Sequence, residues 1–284
     1  MWTTLLQGRC DSKSALGTND AIGNCHSNSL PPAVLTPIAR SMNRRHFIQA
    51  LGTISLLRLQ AQNVDESWRP LFDGGTLKGW KATARSPHSK VSGHTTAGHW
   101  RVEGAVLVGS QDTPGNGGLI LTEEEFADFE VVLEMNNDFG PDSGLFLRCT
   151  EEGKAYQCLI DYYEVGTIGG ILGEGIWNRR GIRNYSFGRS PALISLNENK
   201  EHPCPVRPDS WRSFWRAGEW NEIRARITGD PPTITTWVNG VEMMRHTEPA
   251  SIHPAKGHIG LQIHGGLASA KGCVRYRNIR VRTL

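Results

Sequence analysis

SGLFLRCTEEGKAYQCLIDYYEVGTIGGILGEG, residues 143–175, decides how the chain folds. Gly144 to Cys149 and Ala155 to Tyr162 are two strand-like runs. The polar, Gly-containing connection Thr150–Lys154 between them has hairpin length. Successive strand side chains point to opposite sides of a sheet. Leu145, Leu147 and Cys149 therefore share one face, and Phe146 and Arg148 the other. On the partner strand Cys158 and Ile160 oppose Gln157, Leu159 and Asp161. One face reads as core. The other, with Arg, Gln and Asp among aromatics, suits either a groove for a polar ligand or a solvated surface with an ion pair.

The same patterns recur outward from this stretch. Trp100 and Val102 alternate before a turn at Gly104, and Val106 and Val108 after it. Leu119–Thr122 is a short strand, Glu123-Glu124-Glu125 a solvated loop, and FADFEVVLEM (126–135) a half-buried strand. Ile223, Ala225 and Ile227 alternate inward against Arg224 and Arg226. Asn239-Gly240 between two strand patterns predicts a tight hairpin, because both central residues need positive φ. Ile259, Leu261 and Ile263 face the core, leaving Gly260, Gln262 and His264 outward. A closing strand runs from Cys273 to Val281, with Val274, Tyr276, Asn278 and Arg280 on one face. Trp211, Trp215 and Trp220 belong either to a loop or short helix capping the core or to a sugar-stacking platform. Ile176–Pro208 is a long irregular insertion of the kind that often carries function. Many short strands and no helix of three turns predict an all-β, antiparallel β-sandwich.

The formal charge of +3 is unevenly placed. Residues 1–61 hold six Lys/Arg and two acids, so the remainder has a net charge of −1. A nucleic-acid footprint needs a basic patch on the folded part, and none is indicated. Asn43-Arg44-Arg45-His46-Phe47-Ile48-Gln49 resembles a twin-arginine export signal. The apolar run Ile48–Leu57 that follows is too short to span a bilayer, and Leu59-Gln60-Ala61 is an imperfect small-residue cleavage site. Residues 1–41 read as a mis-extended start or an unstructured leader, 42–61 as a signal peptide, and 62–284 as one domain. Twin-arginine machinery, a periplasmic or secreted location and no membrane span after signal removal are the expectations. Cys149 and Cys158 are expected on one apolar face of neighbouring strands, either as a disulfide or as two buried thiols.

The pieces LFDGGTLKGW, WRVEGAVLVG, SGLFLRC, EWNEIRARITGD, TTWVNGVEM, GHIGLQIHGG and VRYRNIRV stand in this order between Trp68 and Leu284. Together they resemble the 3-keto-disaccharide hydrolase family. The resemblance implies a concanavalin-like β-sandwich (jelly roll), export, and hydrolysis of glycosides whose sugar carries a ketone at C3. Many members of that family read Tyr-Glu-x-Gln-Ile-x-Asp on the central strand. Here Tyr156-Gln157-Cys158-Leu159-Ile160-Asp161 keeps the aspartate and lacks the glutamate. Either Glu164 or Glu174 stands in for it, or the activity is lost. A carbohydrate-binding, lectin-like module without turnover is the alternative function, and a structural or adhesive domain a third.

A C3 ketone acidifies the proton on C2, so a base can remove it while the C1 oxygen leaves. Water then adds back. That chemistry needs a base near neutrality, a donor for the enolate oxygen and an acid for the leaving group. It does not need the paired carboxylates of an ordinary glycosidase. His264, Asp161 and Glu174 are the expected catalytic residues, His264 because its unperturbed pKa lies near neutrality. Arg148, Gln157, Gln262 and Glu164 are the expected substrate-binding residues. A divalent metal could polarise the ketone, with His264 and Asp161 or Glu174 as ligands, although no metal-binding spacing is visible.

Overall fold

A computed structural model describes residues 67–137, 142–161, 163–178, 181–188, 194–197 and 201–284. The expected leader, twin-arginine signal and cleavage site lie outside these residues. In chain order the strands are β1 (Arg69–Pro70), β2 (Trp80–Thr83), β3 (His99–Glu103), β4 (Val106–Ser110), β5 (Gly118–Phe126), β6 (Phe129–Asn137), β7 (Ser143–Cys149), β8 (Ala155–Ile160), β9 (Ile168–Glu174), β10 (Tyr185–Phe187), β11 (Ile194–Leu196), β12 (Asn221–Thr228), β13 (Thr233–Val238), β14 (Val241–Thr247), β15 (Gly257–Ile263) and β16 (Cys273–Thr283).

Among the described residues, two large antiparallel sheets stand beside the two-stranded β10–β11 sheet. One runs β14-β13-β12-β6-β16-β4-β3, with β1 added on β16. The other runs β2-β5-β15-β7-β8-β9. Between them lies one core, drawn from inward residues of both sheets: Leu133, Ile223 and Tyr276 from the first, Leu145, Ile160 and Leu261 from the second. The all-β, antiparallel β-sandwich expected from the sequence is the fold observed.

Local chemistry explains the main elements. In β12, Ile223, Ala225 and Ile227 are fully buried and Arg224 and Arg226 point outward. Asn239 and Gly240 have φ of 46° and 81°, as the β13–β14 hairpin requires. The Asn239 amide also clamps the turn, donating to the Phe214 carbonyl and accepting from the Glu222 N–H. Glu123–Glu125 are not a loop. They form the exposed end of β5, and the turn comes at Ala127-Asp128.

Trp211–Phe214 is a one-turn helix. Trp211 and Trp215 are 1% and 5% exposed, so they cap the core. They are not a sugar platform. Within the Ile176–Pro208 insertion, β10 pairs with β11, and the Tyr185 hydroxyl both accepts from the Ile168 N–H and donates to its carbonyl. These bonds tie the insertion to β9.

Two bulges break the expected alternation. Arg148 has φ of 51°, and the β7–β15 register slips beside it. Cys149 therefore turns to the face of Phe146, in a small buried cluster with Leu119, Leu121 and Ala155. Cys158 stays in the main core, so the two thiols are on opposite faces and are free. Asn278, with φ of 53°, does the same in β16. After Val274 and Tyr276 the inward positions become Ile279 and Val281, in place of Asn278 and Arg280.

The outer face of the larger sheet is a lattice of arginines. Glu130 is fully buried beneath Arg224, Arg226 and Arg282. Desolvation would raise its pKa, but hydrogen bonds from Arg224 and Arg226 outweigh it and hold the carboxyl below its ordinary value. Trp237 stacks beneath Arg224, Trp220 beneath Arg277 and Trp68 beneath Arg282.

Candidate functional site

The outer face of the six-stranded sheet gathers the polar residues expected from parity. Leu261 pairs with Leu145, and Leu145 with Cys158. That register places Gln262 beside Gly144. It also sets His264 beside Asp142, and the His264 N–H lies 3.4 Å from the Asp142 carbonyl. Ser143 pairs with Ile160, so Asp142 lies between His264 and Asp161 along one row. Glu174 reaches the same face from the end of β9, opposite Ala155.

A segment far away in the chain completes the cluster. His88 sits in a short 3-10 turn, Pro87–Ser89. Its carbonyl accepts from the Gly117 N–H at 2.8 Å, and Ser89 Oγ donates to the Gly117 carbonyl at 2.9 Å. A Cβ on Gly265 would lie 2.7 Å from the His88 carbonyl, so a glycine there lets the turn descend. The His88 ring then packs 4.7 Å from that of His264, and its Nε2 lies 3.9 Å from Glu174 Oε1.

Hydrogen bonds fix both imidazoles. Gln157 Nε2 donates to Gln262 Oε1 at 3.2 Å, and Gln262 Nε2 donates to His88 Nε2 at 2.8 Å. The amide orientation follows from this chain: His88 Nε2 accepts, so its hydrogen is on Nδ1. His264 Nδ1 meets the Gly265 carbonyl. A carbonyl only accepts, so that nitrogen carries the hydrogen and Nε2 keeps its lone pair. Nε2 lies 3.6 Å from Asp142 Oδ2.

Gln157 depends on a missing side chain. A Cβ on Gly144 would lie 1.9 Å from Gln157 Nε2. Glycine lets the amide lie across β7 to reach Gln262.

Electrostatics separate the acids from the bases. Desolvation, reinforced by Asp161 and Glu174, raises Asp142 to about 8. Desolvation also raises Glu174. It raises Asp161 too, against the Tyr163 N–H and His264, which favour its charged form. His88 falls to about 3 through desolvation, then the positive potentials of His264 and Lys90. His264 is also lowered by desolvation, although the Gly265 carbonyl and Asp161 oppose this. At neutral pH the site therefore holds a protonated Asp142 facing an unprotonated His264. Side chains of Asp142 and His264 are 22% and 38% exposed, open enough to meet a ligand. Gln157 and Gln262, at 2% and 1%, are not. They position His88 and do not reach toward a bound sugar.

Of the residues expected from sequence, His264, Asp161, Glu174, Gln157 and Gln262 come together. Arg148 does not. It is 1% exposed and donates to the Ala127 and Gly229 carbonyls and to Asp128. The bulge at its own backbone explains the error, since it ends the parity that placed Arg148 with Gln157. Glu164 is exposed in the turn between β8 and β9. Asp142 and His88 are additions. Asp142 immediately precedes a strand of known parity, which is a usable signal. Nothing local marks His88. Among the described residues no group of three or more His, Cys, Asp or Glu is arranged to hold a metal ion.

A groove of about 550 Å³ opens beside the two histidines, lined also by Lys90, Val91, Pro114 and Leu267.

Comparison with known proteins gives a family match. A family described as the 3-keto-alpha-glucoside-1,2-lyase-like domain matches residues 67–282. Among solved structures, a Parabacteroides distasonis protein provisionally described as a glycosyl hydrolase is 18% identical, over 80% of this chain and 98% of that one, with a TM-score of 0.48. A Bacillus licheniformis β-glucanase is 12% identical over 76% and 97%, TM-score 0.46. The Bacillus subtilis carbohydrate-binding module CBM66 is 13% identical over 72% and 96%, TM-score 0.41. No curated protein matches.

Proposed function

The chain belongs to the 3-keto-alpha-glucoside-1,2-lyase-like family, and on that premise we propose that it cleaves 3-keto-glycosides by elimination across C1 and C2, followed by hydration. The family is carbohydrate-related and glycosyl-hydrolase-like. The observation that carries the finer reading is the Asp142–His264 pair, an acid and a base 3.6 Å apart on an accessible face.

Each partner is in the protonation state that elimination requires. His264 Nε2 takes the C2 proton, made acidic by the neighbouring ketone. Asp142, protonated at neutral pH because its pKa is raised to about 8, gives its proton to the C1 oxygen as that bond breaks. C2–H and C1–O are on adjacent carbons, so one base and one acid serve the two ends of the elimination. Lys90, lining the groove, supplies positive charge for the enolate oxygen at C3. Water then adds across the double bond, hydroxyl to C1 and proton to C2. Asp142 takes a proton from that water and His264 returns one to carbon, so both residues recover their starting states. Gln157 and Gln262 hold His88 in one tautomer beside this pair, and Glu174 and Asp161 keep the Asp142 proton in place.

The test is to incubate the purified protein with a 3-keto-glucoside and with the ordinary glucoside, with and without a divalent metal ion. Release from the keto sugar alone, lost in His264→Ala and Asp142→Asn, is expected. Binding without release under every condition would favour the lectin-like alternative.

Export belongs to the same reading. Arg44-Arg45 with the following apolar run supports delivery to the periplasm or outside through the twin-arginine machinery. Residues 42–66 fused to a folded reporter should carry it across the membrane, and Arg44→Lys/Arg45→Lys should retain it inside.

A further inference from the structure

We propose that the groove beside His88 and His264 is the leaving-group subsite, and that it takes a flat apolar aglycone, a phenol, in preference to a second sugar. This deepens the keto-glycoside reading above and rests on it for the turnover arm of its test.

The groove continues directly from the reacting pair, since His264 forms part of both. A glycoside seated over His264 and Asp142 would extend its C1 substituent into such a space. The walls are unusual for a sugar site. Val91 is 58% exposed and Leu267 76%, two of the most exposed large aliphatic side chains among the described residues. Scattered exposed aliphatics need no explanation, but these two are not scattered. A Cβ on Gly115, between them, would lie 3.4 Å from Val91 Cγ2 and 3.7 Å from Leu267 Cδ2. They therefore flank one slot about Gly115, and Pro87 and Pro114 also line the groove.

The hydrogen-bonding supply decides between the two classes of leaving group. The polar side chains lining the groove are His88, His264 and Lys90. His264 and Lys90 are committed to the reacting sugar and His88 Nε2 to Gln262, which leaves the His88 Nδ1 hydrogen as the remaining side-chain donor. A pyranose would bring several hydroxyls against aliphatic walls and leave most of them without a protein partner, at a cost for each. An aromatic ring has two apolar faces for Val91, Leu267 and the prolines to cover. Its oxygen is also the better leaving group, which suits a general acid as weak as Asp142. The volume, about 550 Å³, falls within the range of small-ligand sites.

The experiment compares an aryl 3-keto-glucoside with a 3-keto-disaccharide of the same anomeric configuration, in the wild type and in Val91→Ser and Leu267→Ser. Both side chains are exposed, so neither change threatens the fold. Each variant should lower kcat/KM for the aryl substrate about fivefold, mainly through KM, and leave the disaccharide within about twofold. Equal effects on both substrates, or none on either, would overturn the inference and leave the keto-glycoside reading intact. If neither keto substrate turns over, that reading fails and binding decides the subsite. Methyl NMR signals of Val91 and Leu267 should then shift with 4-nitrophenyl glucoside and not with methyl glucoside. Unmoved signals would overturn the inference.

Discussion

His264 Nε2 stands 3.6 Å from Asp142 Oδ2, with the ring hydrogen of His264 turned away onto the Gly265 carbonyl. An imidazole lone pair and a carboxyl that keeps its proton at neutrality thus face the same point in space. Neither residue alone would mark a site. Their pairing does, because their environments push their pKa values apart in opposite senses to the ordinary order.

That inversion has a consequence for stability. Asp142 has an ordinary value of 3.8 and is raised to about 8, first by desolvation and then by Asp161 and Glu174. Between these values the native chain holds a proton that the unfolded chain has released. The stability from this group is full below about 4 and is lost as pH rises through about 8. Asp161 and Glu174, raised by desolvation, act in the same direction. His88, lowered from 6.5 to about 3, acts in the opposite sense and only below about 6.5. Thermal unfolding between pH 7 and 8.5 lies above the histidines, and comparison with Asp142→Asn separates its carboxyl from the buried thiols, which lower stability in the same sense as they ionise in the unfolded chain. The wild-type Tm should fall across this window and that of Asp142→Asn should fall less. Parallel curves would contradict the assignment.

Gly144 should be a functional glycine. An alanine Cβ would meet the Gln157 amide at 1.9 Å. The same Cβ would meet Gln157 Cδ and Cγ at 2.6 and 2.7 Å, so the whole buried side chain must swing away, and the variant should lose about 2 kcal/mol of stability. Swinging breaks the Gln157–Gln262–His88 chain. Gly144→Ala and Gln262→Leu should therefore both lower kcat about tenfold with little change in KM, and both should alter the 15N shifts of the His88 ring. A full-activity Gly144→Ala would show that the amide chain has no positioning role.

Arg148 should be structural. Its guanidinium is almost fully buried on two carbonyls and Asp128. Removing it leaves those acceptors unpaired, so Arg148→Ala should cost about 3 kcal/mol. Activity on a keto-glycoside, assayed well below Tm, should be unchanged. Loss of activity at full stability would return Arg148 to the site.

The cysteines offer a direct check on the bulge in β7. Burial raises the Cys158 thiol to about 12 and raises Cys149 as well. Both should be intact free thiols by mass spectrometry, inert to alkylation until the protein unfolds. A Cys149–Cys158 disulfide would place both on one face and contradict the register.

The strand faces were legible wherever alternation ran undisturbed. Ile223, Ala225 and Ile227, and Ile259, Leu261 and Ile263, give the core from a period of two alone. The same parity brings Gln157, Asp161, Gln262 and His264 to one outer face. It fails at Arg148 and Asn278, where a residue other than glycine adopts positive φ and the strand bulges. Arginine carries no mark of positive φ, so parity alone puts Arg148 on the wrong face and Cys149 beside the wrong partner. His88 was illegible for another reason. It reaches Gln262 across 174 positions of chain, and only tertiary packing makes them neighbours.

Deuterium incorporation tests the central claim most directly. In D2O, elimination by His264 and rehydration should leave one deuterium at C2 of the released 3-keto sugar, above the exchange seen without enzyme. Mass spectrometry with NMR assignment reads it. Asp142→Asn should slow release of the leaving group at least a hundredfold. A released sugar that keeps its original C2 hydrogen, with no slowing of release by deuterium placed at C2 of the substrate, would mean direct displacement at C1, and the acid–base pair would have to be reassigned.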